Sequence, residues 1–197
     1  MGRGGRASSL THPGGSLGIV TGSQTPDARA SREALTTAVL EVEGHAAALG
    51  WDGPVRVFAL VRTASAVRVD PGFSAHLPNP AEAAANPHHL TAIEQDGLPP
   101  ADSLEELLAA LAWPPTVDGA AVVVDRVIVA PGDATVLGPA DALASPHRRD
   151  VRIAVGVLRD GASWCALRLR SHDDDASVIS APDTVPGLVE ALRETLA

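Results

Sequence analysis

Lysine and tyrosine are absent from this chain, and cysteine and methionine each occur once. The lone Cys165 excludes an internal disulfide and any cysteine-rich metal site. With three Trp, two Phe and no Tyr, aromatic rings cannot fill a core, so Val, Leu and Ala must. All fifteen basic residues are arginine, and the 24 acids outnumber them to give a formal charge of −9. That balance argues against nucleic-acid binding, which needs local positive charge facing the phosphates. No apolar run approaches the ~20 residues of a membrane helix. A phosphate-loop lysine, a G-x-S-x-G elbow, an H-E-x-x-H pair and a dinucleotide-binding fingerprint are also missing. What remains is 197 residues, 45% apolar, with a mean hydropathy of +0.11. That is enough for one soluble domain with a sizeable core.

Residues 91–129 organise the rest. Asp102 or Ser103 is placed to cap a helix whose Leu104, Leu107, Leu108 and Leu111 form one apolar stripe. Glu105 and Glu106 sit in its first turn, where the helix dipole favours negative charge. Trp113-Pro114-Pro115 stops the helix, and Asp118-Gly119 turns the chain into a valine-rich strand suited to burial on both faces.

Residues 1–24 are rich in Gly, Ser and Thr without sustained periodicity, and read as a disordered or over-extended N-terminus outside the fold. Thr25-Pro26-Asp27 opens a helix with a stripe at Leu35, Val39, Val42, Ala46 and Leu49, and Gly50 closes it. Trp51-Asp52-Gly53-Pro54 is a turn with an aromatic plug before a short strand over residues 55–61. Thr63 could cap a short helix before Pro71-Gly72, and residues 78–89 read as a surface loop. Residues 131–133 predict a turn, 136–137 a brief return strand and 138–150 a loop. The clearest hairpin is VRIAVGVLRDGASWCALRLR. A three-residue loop, Arg159-Asp160-Gly161, sets Val151, Ile153 and Val155 opposite Leu169, Leu167 and Cys165, whereas a two-residue loop would set Ile153 opposite Arg168. The three-residue loop is therefore expected. Arg152, Arg168 and Trp164 then share the other face, with Trp164 across Gly156. A last short strand at 176–180 and a helix from Pro186 close the chain. The expectation is a single α+β domain over residues 25–197: a mainly antiparallel sheet flanked by an N-terminal, a central and a C-terminal helix.

Three groups could carry chemistry. His88-His89 with Glu94 and Asp96 is the densest set of possible metal ligands, but adjacent histidines diverge, and a solvated loop pair is expected. His172 and Asp173–Asp175 lack the alternation of a calcium loop and read as a solvated turn. The group Arg148, Arg149, Arg152, Arg168 and Arg170 could take an acidic protein or a small anionic ligand through guanidinium forks. The commoner outcome is internal pairing with Asp150 and Asp173–Asp175. On this reading Arg168→Ala should be mild for stability. Cys165 reads as a buried small hydrophobe. No cofactor, metal site or membrane contact is expected.

At GWDGPVRVFALV, LTAIEQDGLP, LEELLAALAWPPTVDGAAVVVDR and DVRIAVGVLRDGASWCALRLR the chain resembles an uncharacterised family of small actinobacterial proteins, over residues 31–196. The resemblance implies a cytoplasmic bacterial protein and carries over no catalytic residue. It draws attention to Trp51, Glu94, Gln95, Trp113 and Arg168, which stand inside those blocks. The expectation is a non-catalytic accessory or binding protein. The alternative is a small-molecule enzyme with a site built from Glu94, Asp96, a histidine and the arginine group. A deep pocket joining those residues would favour the enzyme, and a flat polar surface the binder.

Overall fold

The computed structural model describes residues 25–129 and 148–197. Expectations for residues 1–24, for the turn at 131–133, for the strand at 136–137 and for the loop over 138–147 lie outside the described residues.

Helix α1 (Pro26–Ala48) begins where Thr25 accepts a hydrogen bond from the N–H of Ala28, with Pro26 in the first turn. Leu35, Val39, Val42 and Ala46 are buried along its stripe, whereas Leu49, past its end, is 58% exposed. Strand β1 (Arg56–Arg62) leads into α2 (Thr63–Val69) and a 3-10 helix at Pro71–His76. Thr63 starts α2 without capping it; its buried hydroxyl is bonded to His89 and Thr91 instead. The segment read as a surface loop contains α3 (Pro80–Ala85), because Pro80 suits a first turn and an alanine run follows.

Strand β2 (Leu90–Glu94) precedes α4 (Leu104–Ala109). Ser103 caps α4 by accepting from the N–H of Glu106, whose carboxylate reaches back to the N–H of Asp102. Strand β3 (Gly119–Val129) pairs along its whole length with β4 (Arg148–Leu158), so Arg148–Asp150 are strand and not loop. Strand β5 (Ser163–Leu169) is followed by two 3-10 turns, then β6 (Ile179–Ala181), a few residues later than expected, and α5 (Pro186–Glu194).

The six strands form one antiparallel sheet in the order β2-β1-β3-β4-β5-β6. The β4–β5 hairpin has the expected register: Val151, Ile153 and Val155 pair with Leu169, Leu167 and Cys165. Gly161, at φ +93, takes the left-handed position of the loop.

Each face of the sheet has its own core. Residues Val122, Val124, Ile153, Val155 and Cys165 face α4 and α5 through Leu104, Leu107, Leu108, Val189 and Leu192. The other face packs Phe58, Leu60, Ala121, Val123, Ala154 and Ala166 against α1. Leu35 and Val39, each at 0% exposure, stabilise that contact by roughly 1.5–3 kcal/mol apiece. Gly156 permits it. A Cβ there would stand 2.5 Å from Val39 Cγ2 and 3.0 Å from Leu35 Cδ1. Trp164 pairs across from Gly156 as expected, but α1 and not the indole covers the glycine, and Trp164 turns its Nε1–H to Ser180 Oγ.

Candidate functional site

Strand alternation puts Arg148, Asp150 and Arg152 on the α1 face of β4, in line with Ala154 and Gly156 beneath the helix. The register sets Arg152 opposite Asp125 on β3 and opposite Arg168 on β5. Two guanidinium groups on neighbouring strands repel unless each has its own acid. Each does. Arg168, 3% exposed, donates from Nε and Nη2 to the two carboxylate oxygens of buried Glu43 on α1, both at 2.7 Å. It also donates to Asp175 at 2.7 Å and lies 3.6 Å from Asp173. Its pKa is held above the ordinary arginine value, chiefly by the bond to Glu43. Arg152, 2% exposed, donates to both oxygens of Asp125 and to the carbonyl of Gly50. Its Nη1 has no hydrogen-bond partner among the described residues.

The Trp51–Pro54 turn closes over this network. The Trp51 ring lies 4.5 Å from Arg152 Cζ and 5.5 Å from Arg170 Cζ, and its Nε1–H donates to Asp173. Asp52, at φ +64, donates its N–H to Asp125 and accepts from Arg170 Nη1 at 3.0 Å, with Nη2 lying 2.9 Å from its other carboxylate oxygen. That bond raises the Arg170 pKa. Arg148 grips Asp150 at 2.8 and 3.0 Å, which lowers the Asp150 pKa. Arg149 alternates to the other side of β4, is exposed, and makes no ion pair among the described residues. Four of the five arginines are thus internally paired. Asp150, Asp173 and Asp175 were anticipated as partners; Glu43, Asp52 and Asp125 were not. Glu43 carried a signal, a carboxylate four residues after Val39 and three before Ala46, at the margin of an apolar stripe. Arg168 is not the mild position expected of it, because its side chain is buried and holds three acids.

The histidine group does not converge. His88 accepts from Arg62 at Nδ1 and faces Asp27 through Nε2 at 3.1 Å, so the ε nitrogen carries the proton. His89 is bonded to Thr63 at 2.7 Å. Glu94 holds Arg56 at 2.5 Å and His45 at 3.3 Å, and Asp96 is exposed beyond the strand. Among the described residues no three His, Cys, Asp or Glu side chains are grouped to hold a metal ion. Gln95 donates its N–H to the Val57 carbonyl and its side-chain amide to the Ile93 carbonyl. Trp113 packs on the α4–α5 core and donates from Nε1 to Thr195 at 3.0 Å. Cys165 is fully buried.

Two adjoining clefts lie between α1 and β2. One, of about 350 Å³, is lined by Glu41, Val42 and His45 of α1, by Phe58, by Leu77 and Pro78, and by His89, Leu90, Thr91, Ala92 and Glu94. The second, of about 210 Å³, continues along α1 past Thr37, Ala34 and Ala30, and shares His89 and Leu90. Neither includes any of the five arginines. Arg152 lines a separate cavity of about 30 Å³ with Arg56 and Asp125. Of these cavities, none joins Glu94, Asp96 or a histidine to the arginine group.

Among known proteins, the family model described as PPA1309-like protein matches residues 35–197. That span runs from the middle of α1 through the last helix. No curated protein and no solved structure matches. No helix of the described residues is long and apolar enough to cross a membrane.

Proposed function

The chain belongs to the PPA1309-like protein family, and from that premise we propose a non-catalytic binding protein of the cytoplasm whose contact surface is the α1–β2 side of the sheet. The observation that carries this reading is the outer edge of β2. It lies beside an open cleft and has no backbone partner beyond β1 among the described residues. An edge strand of this kind is a template for another chain unless it is covered, twisted away or charged. Here Ile93 on that edge is 37% exposed.

An enzyme assembled from Glu94, Asp96, a histidine and the arginines has less support, since each candidate is bonded elsewhere or stands apart. An acidic protein or small anion at the arginine group is likewise weakly supported. The forks that would take it are filled by Glu43, Asp125, Asp52 and Asp150.

Site-specific photo-crosslinking in the cell tests the reading. A photoreactive residue at Ile93, which stands on the open edge although its side chain alternates to the face of Val57, should give a discrete protein adduct, and one at exposed Glu105 on α4, off that edge, should not. Equal labelling from both positions, or none from Ile93, would overturn it.

A further inference from the structure

We propose that the β2 edge and its cleft take an extended, basic peptide segment, which adds to the sheet as a strand and sets a cationic side chain beside Glu41. This rests on the binding reading above and specifies the partner's chemistry.

Two hydrogen bonds, one at each end of the β1–β2 pair, fix which backbone groups of β2 face outward. The N–H of Gln95 donates to the Val57 carbonyl, and the N–H of Thr63 donates to the His89 carbonyl. Residues of odd number along this stretch therefore face β1. In an antiparallel ladder the alternate residues face the other way, so Leu90, Ala92 and Glu94 turn their N–H and C=O groups to the open edge. An added strand would be held there by main-chain hydrogen bonds, and pockets for alternate side chains would give it selectivity.

The side chains of the same three residues line the cleft. Leu90, Ala92 and Glu94 share the face of Phe58 and Leu60, their partners in β1 being Arg62, Leu60 and Phe58. That face meets the cleft, where Phe58, Leu77, Pro78 and Leu90 supply apolar walls. Alternate side chains of an added strand would point into it.

Charge decides which side chains. The two clefts are lined by Glu33, Glu41 and Glu94 and by no arginine, in a chain without lysine. Glu33 is neutralised by Arg29 and Glu94 by Arg56. Glu41 is exposed and makes no ion pair among the described residues. A cation entering beside it gains an attraction that no protein group already satisfies. A second copy of the chain is a poorer occupant, because it brings the same acids and a like charge of −9 to the contact.

The test uses the full-length protein and a short capped peptide alternating threonine with arginine, valine and arginine, compared with the same peptide carrying glutamate for arginine. The arginine peptide should bind, slow amide exchange at Leu90, Ala92 and Glu94, and weaken as salt is raised; the glutamate peptide should not bind. Ala92→Pro deletes an outward N–H that the sheet does not use, so it should leave the melting temperature in place. It should weaken the peptide by about tenfold or more, equivalent to at least ~1.4 kcal/mol. Glu41→Arg, a surface change with no bearing on folding, should weaken the arginine peptide and admit the glutamate one. Equal binding of both peptides, or an unchanged Kd in Glu41→Arg, refutes the charge argument. Unchanged binding in Ala92→Pro refutes strand addition. A dimer in sedimentation that Ala92→Pro dissociates would make the occupant a second copy and overturn the proposal. If Ile93 crosslinks a protein in the cell and neither peptide binds, the partner chemistry is wrong while the binding reading survives.

Discussion

Substituting Arg168 by methionine would leave Glu43 buried with its only ion-pair partner among the described residues gone. Glu43 is 1% exposed, and Arg168 is the group that bonds both of its carboxylate oxygens. Breaking a buried pair from one side costs about 3–5 kcal/mol, because the remaining charge is neither solvated nor paired. Arg168→Met should fall near the top of that range. The reciprocal change, Glu43→Leu, should fall near ~3 kcal/mol or below, since Arg168 keeps the carboxylate of Asp175 at 2.7 Å. In a domain of this size each kcal/mol moves the melting temperature by about 2–4 °C, so Glu43→Leu should melt roughly 6–12 °C low and Arg168→Met lower still. The double variant replaces two charges by apolar volume and should recover to within ~1 kcal/mol of the parent. Urea unfolding of all four proteins, with unchanged m-values, gives the coupling energy from the cycle. The reasoning fails if Arg168→Met costs under ~1 kcal/mol. It also fails if Glu43→Leu costs more than Arg168→Met, or if the double variant is no better than either single one.

Native Cys165, fully buried in the sheet, should react with a thiol reagent only after unfolding; fast labelling of the native protein would place it elsewhere. Trp113→Ala should cost about 2–3 kcal/mol in denaturant unfolding, less than the ~3–5 of a fully buried aromatic, because the ring is half-buried and also bonds Thr195. Asp150 should titrate below the ordinary aspartate range, because Arg148 donates to its carboxylate. Its share of stability is complete above about pH 4 and is lost as the pH falls through the lowered folded value. Arg148→Gln should move the carboxyl-carbon titration of Asp150 in NMR back toward the usual range, and an unmoved titration would deny the pairing.

Local order was legible because its causes lie within a few residues of their effects. Thr25 and Ser103 reach backbone N–H groups three residues on, and stripes at helical spacing select a buried face before any tertiary contact forms. The β4–β5 register is of the same kind. A one-residue slip would place arginine opposite isoleucine, so loop length, Gly161 and the alternation of apolar side chains agree on one pairing. The α+β class followed from these elements, and so did the helix N-terminal to the sheet and the valine strand at its centre.

Only the tertiary structure decided who meets whom. Arg168 and Glu43 are 125 residues apart in sequence, and Arg170 and Asp52 are 118 apart. A run of nearby aspartates was the obvious sink for the arginines, and it takes only part of them. The rest are satisfied by acids that α1, the Trp51 turn and β3 carry into the same layer. Strand order was equally hidden. Nothing local places β2 at an edge with α1 on the face it shares, yet that placement leaves the outward backbone groups of Leu90, Ala92 and Glu94 without a partner among the described residues, beside Glu41. Capping, propensity and alternation act along the chain over one or two turns, whereas charge pairing and open edges are settled across it. There the folded topology chooses each partner, and many sequences of equal local merit would choose differently.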